Sequence, residues 1–107
     1  MSQDTPAQID ELLRGIWQRN IPILLERLDT LDSAAAAAAA GTLSTESLEH
    51  ARDISHKLAG ILGTFGHHHA TDIARQIEQR FTHMPPTQPD QITPLTVELR
   101  QSLFPAS

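Results

Sequence analysis

A run of apolar and small residues at helical spacing constrains the fold of this chain most strongly. The run recurs at alternating intervals of three and four residues and consists of Leu48, Ala51, Ser55, Leu58, Leu62 and Phe65. Such spacing places the residues on one face of a helix that packs against a core. Ser44 is a predicted N-cap for this helix, and Gly66 is predicted to end it.

A single histidine, His56, lies beside this apolar face and not on it. Because a helix turns about 100° per residue, Arg52, Asp53, Gly60 and Gly63 share the side of the helix that carries His56. Glycine in a helix interior costs roughly 1 kcal/mol relative to alanine. The two glycines therefore indicate either clearance for a molecule that approaches the imidazole or close packing of a second helix.

Two helices are predicted before this central one. The first has Asp4 or Thr5 as its cap and Pro6 at its first position. Asn20 and Pro22 mark a break or kink after it, because proline disfavours helix in the preceding residue. The second runs from about Pro22 into the alanine run Ala34–Ala40. Alanine is the best helix former, which favours a helix end over a flexible linker. Gly41 is the expected C-terminal cap.

Two more helices are predicted after it. The fourth helix uses an inward set of apolar residues, namely Ala70, Ile73, Ala74, Ile77 and Phe81. A proline-containing loop follows over residues 83–90. The fifth helix begins between Asp90 and Pro94 and stops before Pro105.

Composition limits the classes of protein to which the chain can belong. Its 107 residues suffice for one domain, residues 1–107, and no cysteine is present for disulfides or thiolate metal sites. We therefore expect a reducing, cytoplasmic location. The net charge of -5 argues against nucleic-acid binding, and no apolar run is long enough to span a membrane. We expect a monomer, although pairing through the alanine-rich region stays open.

The predicted fold is all-α, since short connections join amphipathic helices and place neighbours antiparallel. The second to fifth helices would form an up-down-up-down four-helix bundle. The additional N-terminal helix would cover one end of the bundle, with Trp17 as its largest anchor.

The central helix resembles a known family. The segments His56-Lys57-Leu58-Ala59-Gly60 and Leu62-Gly63-Thr64-Phe65-Gly66 look like the phosphoacceptor helix of histidine-containing phosphotransfer (HPt) domains. These domains are small helical carriers of multistep bacterial phosphorelays. The resemblance implies a helical bundle and a phosphoryl group accepted by Nε2 of His56. Many members have a lysine three residues after the histidine, whereas this chain has Ala59 there and its lysine at position 57.

The resemblance also implies the partners and the neighbours of the histidine. Receiver domains of response regulators would exchange the phosphoryl group with this chain, and a hybrid sensor kinase is a further candidate partner. The receiver would hold Mg²⁺, and the chain itself would bind no cofactor and turn over no substrate. Phosphoryl transfer needs positioning and charge neutralisation. Arg52 and Lys57 are candidates for the positive charge, while Ala59, Gly60 and Gly63 would leave a flat approach.

Other interpretations stay open for the same residues. His56 could be a solvated helical histidine, and Arg52 and Lys57 a solvated basic face. The chain could also be a bundle that docks a receiver or kinase without being phosphorylated. An enzyme is disfavoured, because no second catalytic group, phosphate-binding loop or nucleotide signature accompanies His56.

The run His67-His68-His69 suggests a third possibility, a metal-binding bundle. Consecutive residues point about 100° apart on a helix, so three adjacent histidines do not easily share one ion. We therefore predict no metal site and expect these imidazoles to bond free backbone groups at a helix start. Glu78 and Asp72 are expected to accept bonds from nearby arginines on the fourth helix.

Overall fold

The structure, a computed structural model, describes residues 6–105. Four α-helices follow one another, namely α1 (Pro6–Ala40), α2 (Thr45–Thr64), α3 (His68–Arg80) and α4 (Ile92–Leu103), with a short 3-10 turn at Pro89–Gln91. No strand occurs in this part of the chain, so the all-α prediction is confirmed. The predicted caps of the first helix, Asp4 or Thr5, lie outside the described residues.

The predicted break between a first and a second helix is wrong. Helix α1 continues for 35 residues with Pro22 inside it. Proline has no N–H to donate to the carbonyl of Gln18, but both residues are exposed, so water can bond to that carbonyl. The strong helix formers that follow, and the burial of Leu24, Leu28 and Leu31 against the core, favour continuation.

Trp17 of α1, the predicted anchor, packs against the core at the α2–α3 connection, whereas the turns of α1 before it project from the bundle. Helix α1, with 35 residues, is about 52 Å long at the usual rise per residue, and the longest dimension of the molecule is 60 Å. Trp17 contacts the rings of Phe65 and His67, with centroid separations of 5.3 and 4.5 Å. Four apolar side chains beyond Trp17 remain exposed, namely Ile9, Leu12, Leu13 and Ile16.

The helix ends follow the local sequence signals. The Oγ atom of Ser44 accepts a hydrogen bond of 3.1 Å from the backbone N–H of Ser47 and caps α2. Gly41 and Gly66 have φ values of 73° and 78° after α1 and α2, a left-handed conformation that glycine adopts without steric cost. The predicted N-cap of α2 and the predicted ends of α1 and α2 at these glycines are confirmed.

The core lies between four helices that contact one another in a ring: α1 with α2, α2 with α3, α3 with α4, and α4 with α1. Its largest fully buried side chains are Phe81, Leu24, Leu28, Leu31, Leu58, Leu62, Ile73, Ile77, Ile92 and Leu99. The predicted helical bundle is therefore confirmed, and its first helix, α1, combines the two helices that were predicted before α2. No helix within residues 6–105 has the length and apolar content needed to cross a membrane.

An ion-pair cluster joins α4 to α1 at the surface of the ring. The guanidinium of Arg100 donates hydrogen bonds of 2.7 Å to Asp32 and 2.9 Å to Asp29. The bond to Asp32, followed by the bond to Asp29, raises the already basic pKa of Arg100. The guanidinium thus stays charged, and its hydrogen bonds hold the last helix against the first.

Candidate functional site

His56 projects from α2 into solvent. Its neighbours Ser55 and Leu58 are fully buried in the core, so the turn of the helix carries the imidazole to the outer surface. The His56 side chain is 74% exposed. The ring is therefore available to another molecule, as the sequence pattern predicted.

Glu78 of α3 holds one nitrogen of this ring. Its Oε2 atom lies 3.0 Å from Nδ1 of His56. A carboxylate accepts hydrogen bonds and donates none, so Nδ1 carries the proton and donates it. In the neutral ring the other nitrogen, Nε2, then keeps a free lone pair that faces solvent. The expectation that Glu78 accepts bonds from arginines on its own helix is wrong, because its partner lies on α2.

The register between α2 and α3 explains this pairing. Gly63 lies next to Thr71, and His56 pairs with Glu78, so contacts advance along the two helices in opposite directions. A connection of three residues joins these helices. In two antiparallel helices, residues at about equal distances before and after the connection lie side by side. Counting residues back along α2 to His56 and about the same number forward along α3 could therefore have identified Glu78 from the sequence.

A groove runs between α2 and α3 at the side of the histidine. It encloses about 450 Å³, and the residues lining it are His56, Ala59, Gly60, Arg75, Glu78, Gln79 and Thr82. Ala59 is 6% exposed and contributes only a methyl group. At Gly60 no neighbouring atom lies within 4 Å of the position that a Cβ would occupy. The protein's own packing therefore does not require glycine there, which leaves clearance for a partner as the open explanation.

Gly63 has a different environment. A Cβ at this position would lie 3.9 Å from Oγ1 of Thr71 on α3, which is ordinary van der Waals contact. Thr71 itself donates a hydrogen bond of 2.8 Å to the carbonyl of His67. Gly63 thus lies next to the contact between α2 and α3. Packing of these two helices, and not only clearance for a partner, is therefore a reason for a small residue at this position.

The two predicted cations do not line this groove. Nζ of Lys57 lies 2.9 Å from a carboxylate oxygen of Asp53, one turn earlier on α2. Both residues line a separate groove between α1 and α2. Arg52 is half-buried one turn before His56. The cation in the groove is Arg75 of α3, which was not among the site residues predicted from the sequence.

The Lys57–Asp53 pair gives a defined pH dependence. The hydrogen bond from Lys57 is the largest effect on the pKa of Asp53 and lowers it. Desolvation opposes this lowering, and the charges of Lys57, His50 and His56 lower the pKa further. A carboxyl with a lowered pKa in the folded state stabilises the fold above its unfolded-state pKa. That contribution is lost as the pH falls through the lowered value.

The three consecutive histidines have three different environments. His67 precedes α3 without a side-chain cap and contacts the ring of Trp17. His68 is exposed, and Nε2 of His69 lies 3.5 Å from Glu98 of α4. The expected bonds from these imidazoles to free backbone groups are absent from the described hydrogen bonds. Within residues 6–105, no group of three or more His, Asp or Glu side chains is arranged to hold a metal ion.

The arrangement has the chemical properties of an exposed nucleophile. Nε2 of His56 presents a lone pair to solvent, a carboxylate fixes the tautomer, and an open groove beside the ring leaves room for a group bonded to that nitrogen. A neutral imidazole nitrogen of this kind can attack an electrophilic centre on another molecule.

Comparison with known families gives one match. The family model described as "Hpt domain" matches residues 2–103, a range that contains all four helices and the groove. No curated protein and no solved structure gives a significant match.

Proposed function

The chain belongs to the Hpt domain family, and from this premise we propose that it is a phosphorelay carrier that accepts a phosphoryl group on His56. Members of this family take part in histidine phosphotransfer within phosphorelay signalling. The donor would be the aspartyl phosphate of one receiver domain, and the acceptor would be the aspartate of another. The chain would be a stoichiometric carrier: each molecule would hold one phosphoryl group at a time, without catalytic turnover of its own.

One observation carries this proposal: Nδ1 of the exposed His56 ring lies 3.0 Å from Oε2 of Glu78. Because a carboxylate only accepts hydrogen bonds, this geometry favours a proton on Nδ1 and a free lone pair on Nε2. In the transfer step Nε2 attacks phosphorus. The bond between Nε2 and phosphorus forms as the bond between phosphorus and the aspartyl oxygen breaks, and the aspartate leaves as a carboxylate. No proton has to leave Nε2, because the ring proton is on Nδ1. Transfer onward to the second receiver reverses these bond changes.

Glu78 would assist this step in two ways. Its hydrogen bond favours the tautomer whose lone pair is on Nε2. When phosphorus bonds to Nε2 while Nδ1 keeps its proton, the ring acquires positive charge, and the carboxylate lies 3.0 Å away to stabilise it. Glu78 is thus a positioning residue that acts through His56.

The partner would supply the remaining requirements. Phosphoryl transfer depends on in-line positioning and on neutralisation of the phosphoryl oxygens. We expect a receiver domain to contribute the Mg²⁺ ion and the reacting aspartate, so this chain needs no cofactor of its own. Receiver domains, and a hybrid kinase that contains one, are the partners that fit this division, and the cytoplasm is the expected location.

Phosphotransfer from a set of aspartyl-phosphorylated receivers tests the proposal. The wild-type protein and His56→Gln are incubated with each labelled receiver, and acid-labile, base-stable label is measured. Label on the wild type alone is the expected result. His50→Gln is the matched control, since His50 is an exposed histidine on the same helix, and it should be labelled like the wild type.

Two outcomes would contradict the proposal. Equal label on the wild type and His56→Gln would move the phosphoacceptor to another residue. Absence of label with every receiver would favour a docking bundle, which binding measurements with the same receivers would then detect.

A further inference from the structure

The groove beside His56 contains one cation that the proposed mechanism has not used. Arg75 lies on α3 and lines the same groove as His56, Ala59 and Glu78. Its side chain is exposed, and it makes no ion pair or hydrogen bond with any residue between positions 6 and 105. We propose that the guanidinium of Arg75 binds the phosphoryl group while that group is bonded to Nε2 of His56. This inference rests on the proposed function of His56.

The helix register puts Arg75 at the right level. Gly63 lies next to Thr71, and His56 pairs with Glu78. Arg75 is one turn before Glu78 on α3, so it is level with Ala59, one turn after His56 on α2. The small Ala59 side chain leaves the space across the groove open. An arginine side chain can extend through this space toward a group that projects from Nε2.

A cation is needed beside a phosphoryl group on His56 to compensate its negative charge. A phosphoryl group on His56 would bring negative charge close to the Glu78 carboxylate, in a protein whose net charge is -5. The negative charges of the phosphoryl group and of Glu78 repel each other, and a cation between or beside them offsets this repulsion. Lys57 is bound to Asp53 in the other groove. Arg75 is therefore the cation with a free side chain that lines the groove of the phosphoryl group.

The chemistry of the guanidinium fits this task. Arginine presents parallel N–H donors that bind two oxygens of one phosphoryl group, and it stays charged at all physiological pH values. Arg75 would contribute no proton and form no covalent bond. It would stabilise the oxygens both while the bond to the aspartyl oxygen breaks and after the bond to Nε2 has formed.

The rate of transfer from a labelled receiver is the first test. Arg75→Gln should lower the maximal rate about ten- to a hundredfold, as expected for the loss of a charge-assisted hydrogen bond, with little change in the receiver concentration at half-maximal rate. Arg75→Lys should recover part of the rate. Arg14→Gln is the matched control, because Arg14 is an exposed arginine on the projecting part of α1, and it should transfer like the wild type.

Two results of this experiment would overturn the inference. An unchanged maximal rate in Arg75→Gln would show that Arg75 does not bind the phosphoryl group. A change confined to the half-maximal concentration would make Arg75 a partner-docking residue. Either result, with normal labelling of His56 in the wild type, would leave the proposed function intact.

A second measurement needs no receiver and separates the two proposals. Phosphoramidate phosphorylates imidazole directly: its phosphorus–nitrogen bond breaks, the bond to Nε2 forms, and ammonia leaves. The ³¹P resonance that is missing in His56→Gln identifies phosphorylated His56. In Arg75→Gln that resonance should shift, and the phosphoryl group should take up its proton at a higher pH. An identical resonance and titration in the two proteins would refute the contact, even if receivers had failed to label the chain.

Discussion

Removing the carboxylate of Glu78 should slow phosphoryl transfer to His56 without unfolding the protein. Glu78 lies on the surface of α3, and its side chain is 28% exposed. Glu78→Ala therefore removes the hydrogen bond to Nδ1 and little apolar packing. The neutral ring would then populate both tautomers, and the cationic ring that forms on transfer would lose its counter-charge.

The expected size follows from the geometry of the pair. Two unit charges 4 Å apart interact by about 1 kcal/mol in water and about 4 kcal/mol near a protein surface. The Nδ1–Oε2 distance is 3.0 Å, but the His56 side chain is 74% exposed, so screening brings the value toward the lower figure. A loss of about 1–2 kcal/mol corresponds to a rate reduction of roughly five- to thirtyfold.

Single-turnover transfer from a labelled receiver measures this rate, and ¹⁵N NMR of the His56 ring measures the tautomer populations. Glu78→Gln keeps an acceptor oxygen but no charge, so its rate should lie between those of the wild type and Glu78→Ala. Glu49→Ala is the control, because Glu49 is an exposed acid on α2. The reasoning would be refuted by a Glu78→Ala protein with wild-type tautomers and a wild-type rate.

Three other changes test separate parts of the structure. Gly60→Leu should leave the fold intact, since no neighbouring atom lies within 4 Å of a Cβ at that position, but it should weaken receiver binding by roughly tenfold or more. Gly60→Ala is the milder control. Normal transfer by a folded Gly60→Leu protein would show that the partner does not need clearance at this position. Leu58→Ala creates a cavity at a site with 0% exposure and should lower the free energy of unfolding by about 2–5 kcal/mol. Urea denaturation measures this change. A loss below about 1 kcal/mol would show that the surrounding side chains move in to fill the cavity. Lys57→Ala should raise the pKa of Asp53 toward its ordinary value, because the hydrogen bond from Lys57 is the largest cause of its lowering; an unchanged NMR titration of Asp53 would contradict the pairing.

The order and ends of the helices were largely predictable because local chemistry determines them. The N-cap at Ser44 and the glycines at positions 41 and 66 each act within a few residues of chain. The failure at Pro22 has the opposite origin. A proline disfavours helix locally, but solvation of the freed carbonyl and packing of the following leucines lie beyond a local pattern.

The site was predictable only in part. The exposed position of His56 follows from helix periodicity, and the structure agrees with it. The assignment of Lys57 to the same surface did not follow, because adjacent residues on a helix point about 100° apart. Lys57 consequently faces the groove with α1, while His56 faces the groove with α3. The phosphoacceptor role of His56 and the docking roles of Arg52, Ala59, Gly60 and Gly63 remain predictions.

The sequence by itself determined a helical chain, the apolar face of α2 and one histidine beside it, since each depends on spacing within a single helix. The tertiary structure decided which groups from other helices meet that histidine. Glu78, which pairs with His56, and Arg75, which lines the same groove, lie more than fifteen positions away from His56 along the chain. They lie on this side of α2 only because α3 folds back along α2. Helix periodicity orients a side chain about its own axis, whereas packing between helices sets the register that brings two axes together.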